Sequence, residues 1–323
     1  MVDPFGRSLT YLRLAVTDRC NLRCAYCLPP QGSGSVSRAS RLSWEELITL
    51  SRIFLSLGVN KIRITGGEPF VRKGLLDFLG QLRQASPRLT LGITTNGTAL
   101  GPHLPRLQEL GIRHLNISLD TLNASRYRAI TGRSLFPVVW NNILAAEKLG
   151  FRLKINLVVL EGVNDDEIPA FVHLTRDHDW TVRFIEPMPF DSRGGTTYAP
   201  LRAADILDRI RAAANVEALP PHQAVDQPFQ VPGYRGRLGL IAGYSRTFCS
   251  TCSRLRLNSR GQLRTCLYGP PAADLNLALR SGASAGQIRT LIRRAVAGRH
   301  ADGFQAEASR SHRRLDSMAA IGG

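Results

Sequence analysis

The sequence predicts an α/β fold, a partial (βα)6 TIM-type barrel, followed by a C-terminal extension of different character. Three observations carry this expectation. Strand-like and helix-like segments alternate over the first two thirds of the 323 residues, giving six strands. Each of these strands runs at its C-terminal end into residues of unusual chemistry: "TDRC", "TGGEP", "TTNG", "SLD", "EGVND" and "EPM". A Pro-containing stretch, "LPPHQAVDQP" (219–228), then separates this pattern from shorter β-like pieces. The expected division is a barrel over 1–218 and an extension over 219–323.

Taken in order, "YLRLAVT" (11–17) reads as the first strand. A helix over 43–58 follows, with Ser43 and Glu46 as a capping box, Leu47, Leu50, Ile53, Phe54 and Leu57 as one apolar face, and Gly58 as the stop. Strands at 61–65, 89–95 and 114–118 alternate with helices at 75–85 and 102–110. A helix over 136–150 ends at Gly150, then 153–160, 166–177 and 181–188 read as strand, helix and strand. A loop (190–200) leads to a helix over 201–214. The extension has β-like pieces at 229–244 and a helix near 285–298. Six strands instead of eight leave such a barrel open on one side.

No apolar run approaches the ~20 residues that span a bilayer, and the opening residues lack the layout of a signal peptide. The expected location is the cytoplasm. The formal net charge of +17 suits polyanions, with dense patches at 253–264 and 309–316, although a solvated Arg-rich surface accounts for it equally.

The six cysteines say more. They form two triplets, Cys20-x3-Cys24-x2-Cys27 and Cys249-x2-Cys252-x13-Cys266. In a cytosolic chain clustered cysteines are metal ligands rather than disulfides. A structural zinc site and a closed iron–sulfur cluster both take four ligands. Three thiolates hold three irons of a [4Fe–4S] cluster and leave the fourth open to a guest. The nearest histidine after the first triplet is His103, and none follows the second at a zinc-finger spacing.

Other residues point the same way. Gly66 and Gly67 let backbone approach a ligand closely, and Glu68 offers an acceptor for a ligand ammonium. Arg13, Arg63 and Lys154 lie on strands, where an inward cation in an apolar barrel is costly without a partner. A triphosphate would be that partner. Periodicity alone leaves the outward orientation equally open. Arg254 and Arg256, two apart, share one face of a strand.

C-x3-C-x2-C after a first strand, with GGEP after the second, resembles the radical S-adenosylmethionine (SAM) superfamily. The resemblance becomes narrower along the chain. "FGRSLTYLRLAVTDRCNLRCAYC", "NKIRITGGEP", "TTNG", "LNISLDTL", "KINLVVLEGVNDDEI", "VRFIEPMP", "FCSTCSRLRL" and a final "IGG" stand in the order of the molybdenum cofactor biosynthesis protein A family, the GTP 3′,8-cyclases. It runs nearly end to end.

That resemblance implies two [4Fe–4S] clusters and SAM. The cluster on Cys20, Cys24 and Cys27 would cleave SAM, and the 5′-deoxyadenosyl radical would take H3′ from GTP. Attack of C3′ on guanine C8 would give 3′,8-cyclo-7,8-dihydro-GTP, the first step of molybdenum cofactor biosynthesis. The cluster on Cys249, Cys252 and Cys266 would hold guanine. The implied SAM contacts are Tyr26, Gly67, Glu68, Ser118 and Met188. Those to GTP are Arg13, Arg63, Thr94, Lys154, Arg254 and Arg256, with Lys61 and Arg183 as further triphosphate ligands. No side chain is expected to be catalytic, since the cofactors carry the radical chemistry. The expected partners are a reductant such as flavodoxin or ferredoxin and the cyclic pyranopterin monophosphate synthase that takes the product. A homodimer is compatible; no membrane or nucleic-acid partner is expected. The tail, Gly322 and Gly323, is expected to reach the active site. Leu28, Pro187 and Ser253 depart from the family's usual residues, and none is a ligand.

Two rivals are weaker. Another radical SAM enzyme with an auxiliary cluster usually carries more C-terminal cysteines. A basic zinc-binding nucleic-acid module leaves GGEP and the incomplete ligand sets unexplained.

Overall fold

The computed structural model describes residues 1–27, 40–188, 201–220, 225–310 and 318–321. Its strands join one twelve-stranded sheet. The six expected strands are β1 (Tyr11–Ala15), β2 (Lys61–Thr65), β3 (Thr90–Thr95), β4 (His114–Ser118), β5 (Arg152–Val158) and β6 (Thr181–Ile185), paired in parallel in that order. The extension supplies β7 (Glu217–Ala218), β8 (Gln227–Gln230), β9 (Arg237–Ile241), β10 (Arg254–Leu257), β11 (Gln262–Arg264) and β12 (Ala273–Asp274).

Two of these continue the parallel wall. β10 pairs with β1, and β9 pairs with β6, so the parallel run has eight strands. The sheet therefore passes without a break across position 218. Short antiparallel strands finish both ends: β11 and β12 beyond β10, β8 and β7 beyond β9.

Helices cover the outer face: α1 (Trp44–Ser56), α2 (Leu75–Ala85), α3 (Leu104–Glu109), α4 (Ala124–Thr131), α5 (Phe136–Lys148), α6 (Ile168–Asp177) and α7 (Ala203–Ala213). After the last strands come α8 (Leu275–Arg280), α9 (Ala285–Ala297), α10 (Gly303–Ala308) and α11 (Met318–Ile321). The capping box on α1 is formed: Glu46 N donates to Ser43 Oγ at 3.1 Å and Ser43 N to Glu46 Oε2 at 2.6 Å. The helix at 102–110 begins as a 3-10 turn, Gly101–His103, because Pro102 and Pro105 supply no N–H to the ladder. The helix expected at 166–177 likewise starts as a 3-10 turn over Asp165–Glu167. Sequence reading missed α4, whose apolar periodicity is weak; Asn123 caps it by accepting from Ser125 N and Arg126 N.

Alternation along the strands separates two environments. Leu12, Leu14, Ile62, Ile64, Leu91, Ile93, Leu115, Ile117, Ile155, Val182 and Phe184 join one apolar core with the helices. The intervening positions line the inside of the curved sheet. There the residues are polar and charged, and they surround a cavity.

Candidate active site

The cavity has a volume of about 540 Å³, and both cysteine triplets line it. All six cysteines are free thiols and partly exposed.

Four loops hold the first triplet. Gly67 N donates to Thr17 O and Glu68 N to Arg19 O, both at 2.8 Å, so the loop after β2 braces the chain entering Cys20. A Cβ on Gly67 would lie 2.3 Å from Arg19 O. The close backbone approach that "GG" was expected to offer a ligand is made first to this neighbouring loop. On the other side, Arg23 N and Ala25 N donate to Thr131 O and Ile130 O at the end of α4, where helical carbonyls lack partners. Cys20 Sγ accepts from Leu22 N at 3.4 Å and from Asn96 Nδ2 at 3.7 Å. Tyr26 donates to Asp120 Oδ2 at 2.6 Å, and Asp120 Oδ1 accepts from Val158 N, so the "SLD" carboxylate fixes this tyrosine. Burial raises the Asp120 carboxyl to about 6, and burial together with Asp120 lifts the Cys24 thiol well above its usual range.

Glu68 stands apart from the other expected SAM contacts. It is fully buried and absent from the cavity lining. Its carboxylate accepts from Asn96 N at 2.7 Å, from Phe70 N at 3.1 Å and from Thr95 Oγ1. Those bonds tie the β2 and β3 loops together. Burial raises it to about 7. Glu186 is equally buried and accepts from Ser245 N and Ala203 N, tying the end of β6 to the extension.

The second triplet sits in a positive field. Arg299 donates to Cys252 O at 2.9 Å and Arg7 to Cys249 O at 3.0 Å. Burial would raise the Cys252 thiol, but Arg299, Arg254 and Arg256 outweigh it and lower it. Cys249 is raised by burial.

Between the triplets lies the cation wall. Register places Arg254, Tyr11 and Lys61 side by side on β10, β1 and β2, and Arg256, Arg13 and Arg63 one layer further along. Lys154 and Arg183 continue it on β5 and β6. All seven cations line the cavity, so the inward orientation is the observed one. Burial pulls Lys154 down to about 8, and Arg183 and Arg256 to about 10. Burial and Arg256 likewise depress Arg13. Thr94, Gly67, Ser118, Met188 and Pro187 also line the cavity. Thr94 Oγ1 is buried without a hydrogen-bond partner. Gly322 and Gly323 lie outside the described residues, as does Leu28.

Sequence reading missed two members of this wall. Tyr11 accepts from Arg63 Nε at 2.8 Å, with Lys61 Nζ 4.9 Å and Arg254 Cζ 5.3 Å from its ring. Buried Asp226, inside the stretch taken for a linker, lies 3.7 Å from Arg183 and 3.9 Å from Lys154.

The donor sets fit iron–sulfur clusters. Each offers three thiols on a cavity edge. Among the described residues no three His, Cys, Asp or Glu side chains gather around a single ion. A cubane's thiolates each take a different iron and need not converge in that way. No described helix is long and apolar enough to cross a membrane.

Comparison with known proteins agrees with this arrangement. Residues 14–175 match the model of the radical SAM superfamily, and residues 180–304 match that of Molybdenum Cofactor Synthesis C. The chain is 42% identical over 299 residues to "Molybdenum cofactor biosynthesis protein 1" of Bos taurus, covering 92% of this chain and 47% of that one. It thus spans about half the length of the first curated relatives it matches. It is 40% identical to a GTP 3′,8-cyclase of Moorella thermoacetica over the whole of both chains. The crystal structure of Streptococcus suis SuiB bound to S-adenosylmethionine shares the fold, with a TM-score of 0.59 at 15% identity over 88% of this chain and 68% of that one.

Proposed function

Because this chain belongs to the radical SAM superfamily and, within it, to the GTP 3′,8-cyclase family, we propose that it converts GTP to 3′,8-cyclo-7,8-dihydro-GTP, opening molybdenum cofactor biosynthesis. The observation that carries this reading is the single cavity, lined at one end by Cys20, Cys24 and Cys27, at the other by Cys249, Cys252 and Cys266, with cations between.

On this reading Cys20, Cys24 and Cys27 hold one [4Fe–4S] cluster, and Tyr26, Gly67, Ser118 and Met188 hold SAM beside it. With SAM bound and one electron from the reductant, the group held there would supply the hydrogen-abstracting radical chemistry directed at the ribose of GTP. Cys249, Cys252 and Cys266 would hold the second cluster, whose open position would serve the guanine. Arg13, Lys61, Arg63, Lys154, Arg183, Arg254 and Arg256 neutralise the triphosphate, and Thr94 brings its unpartnered hydroxyl to the nucleotide. Glu68 acts indirectly, through the loops it ties. A substrate carrying several negative charges relieves the mutual repulsion of buried guanidiniums, which is why the wall tolerates so many.

The reductant, flavodoxin or ferredoxin, and the synthase that takes the product belong to the same reading. So do a cytoplasmic location, a homodimer, and a division into a barrel over 1–218 and a cluster-bearing extension over 219–323.

The test is anaerobic reconstitution with iron and sulfide, then GTP and SAM under reduction. Two clusters require about eight irons per chain, together with GTP-dependent 5′-deoxyadenosine and a cyclised nucleotide. Zinc in place of iron, or SAM cleavage indifferent to GTP, overturns the reading.

A further inference from the structure

Three charged side chains outside the cation wall converge on the second cysteine triplet. Asp3 Oδ2 accepts from Arg7 Nε at 2.6 Å and from Arg299 Nη1 at 3.1 Å. Its other oxygen accepts from the backbone N–H groups of Phe5 and Arg7, which folds the segment around it. The side chains are 0%, 6% and 3% exposed for Asp3, Arg7 and Arg299. Both guanidiniums then reach the cysteine loop, Arg7 at the carbonyl of Cys249 and Arg299 at that of Cys252. Arg7 also donates to His300 O at 2.6 Å, joining the segments that carry the two arginines.

Burying three charges is expensive, and apolar replacements would pack as well. Two guanidiniums share one carboxylate, so one positive charge is left over, and it stands beside Cys252. Hydrogen bonding, burial and net charge around the ligands are what set a cluster's potential.

We propose that Asp3, Arg7 and Arg299 are positioning residues for the second cluster, fixing Cys249 and Cys252 through their carbonyls and, by their surplus positive charge, making that cluster easier to reduce. The proposal rests on the reading that this triplet carries a cluster. The first seven residues thereby act on chemistry more than 240 positions away.

The experiment uses the reconstituted full chain and measures iron content and the midpoint potential of each cluster by EPR-monitored titration. Arg299→Met removes a positive charge and is expected to move the second cluster to a more negative potential. Asp3→Asn removes a negative charge and is expected to move it the opposite way. Arg299→Lys is expected to stay near the parent value, and the first cluster to remain unmoved throughout. Selective loss of the second cluster in Arg299→Met, restored in Arg299→Lys, supports the positioning role as well. Shifts of the same sign in both charge variants, no shift with both clusters present, or unfolding of Arg299→Met and Arg299→Lys alike overturn the proposal. If the parent protein itself holds only one cluster, the reading of the triplet fails and takes the proposal with it. Unmoved potentials in a two-cluster parent sink the proposal alone.

Discussion

At Tyr11, burial and charge pull in opposite directions. Burial alone would raise its phenol, but Arg63, Arg13, Arg254 and Lys61 together bring it down to about 6. The side chain is a resident counter-charge for the cation wall in the absence of substrate. Its folded value lies below the ordinary 10, so the stability it contributes is fully present above pH 10 and is lost as pH falls through 6. Tyr11→Phe keeps the ring between Lys61 and Arg254 but leaves Arg63 Nε without its acceptor. A hydrogen bond to a charged group is worth about 1.5–3 kcal/mol. The variant is therefore expected to melt earlier by roughly that amount near pH 7, with the gap to the parent widening from pH 6 toward pH 10. Saturating GTP should narrow the gap, because phosphate oxygens replace the phenolate as partner. Melting curves with and without GTP across that range check it; a gap that shrinks with rising pH would refute the assignment. The cations of the wall were expected from the family resemblance, while strand alternation alone left their inward or outward orientation even. Tyr11 was not expected: an aromatic residue opening a strand reads as core, and its charged neighbours come from β2 and β10 by register.

Two glycines show how elements set the site, and they predict different outcomes. On the loop after β2, a Cβ at Gly67 would meet backbone atoms of Arg19 at 2.3 and 2.6 Å, which cannot move without shifting the approach to Cys20. Gly67→Ala is expected to lose the first cluster and retain the second, with iron falling by about half and SAM cleavage abolished. On β3, the three atoms nearest a Cβ at Gly92 would all belong to the guanidinium of Arg63, at 2.9–3.1 Å, the end of a flexible side chain. Gly92→Ala should fold normally, with stability changed by less than about 1 kcal/mol. It displaces Arg63 from Ile93 O, however, and the expected result is a KM for GTP raised roughly ten-fold, equivalent to about 1.4 kcal/mol. Retention of iron in Gly67→Ala, or an unchanged KM in Gly92→Ala, would count against these roles. The six central strands and most helices were readable because each buries a periodic apolar face. α4 was not, yet its last carbonyls hold the first cysteine loop. The pairing of β9 and β10 with the barrel strands was equally hidden, since short β pieces carry no sign of which edge they will join.

The whole molecule closes its cavity with segments distant in sequence. Residues 3 and 7 brace the second triplet, β10 lies beside β1, and α11 returns to the same place. Ile321 is fully buried, in a small apolar cluster with Leu267 and Tyr268 against which Met188, Cys266 and Met318 pack. Met318 and Cys266 also line the cavity. The last described residue, Ile321, is thus anchored beside Cys266, and any two residues of chain span at most about 7 Å. That anchor is compatible with the expectation that "IGG" raised, that the tail reaches the active site. Ile321 packs beside the second triplet, and none of the anchors named for the first cysteine loop belongs to α11. Removing Gly322 and Gly323 is thus expected to leave about eight irons per chain and SAM cleavage in place, while the cyclised nucleotide disappears. Ile321→Ala, which loosens the anchor but keeps both glycines, should fall between the parent and the shortened chain. Iron analysis, 5′-deoxyadenosine release and product chromatography on the three proteins separate the possibilities. Full product formation by the shortened chain would remove the tail from the mechanism, whereas loss of iron would make it a structural element of the second cluster.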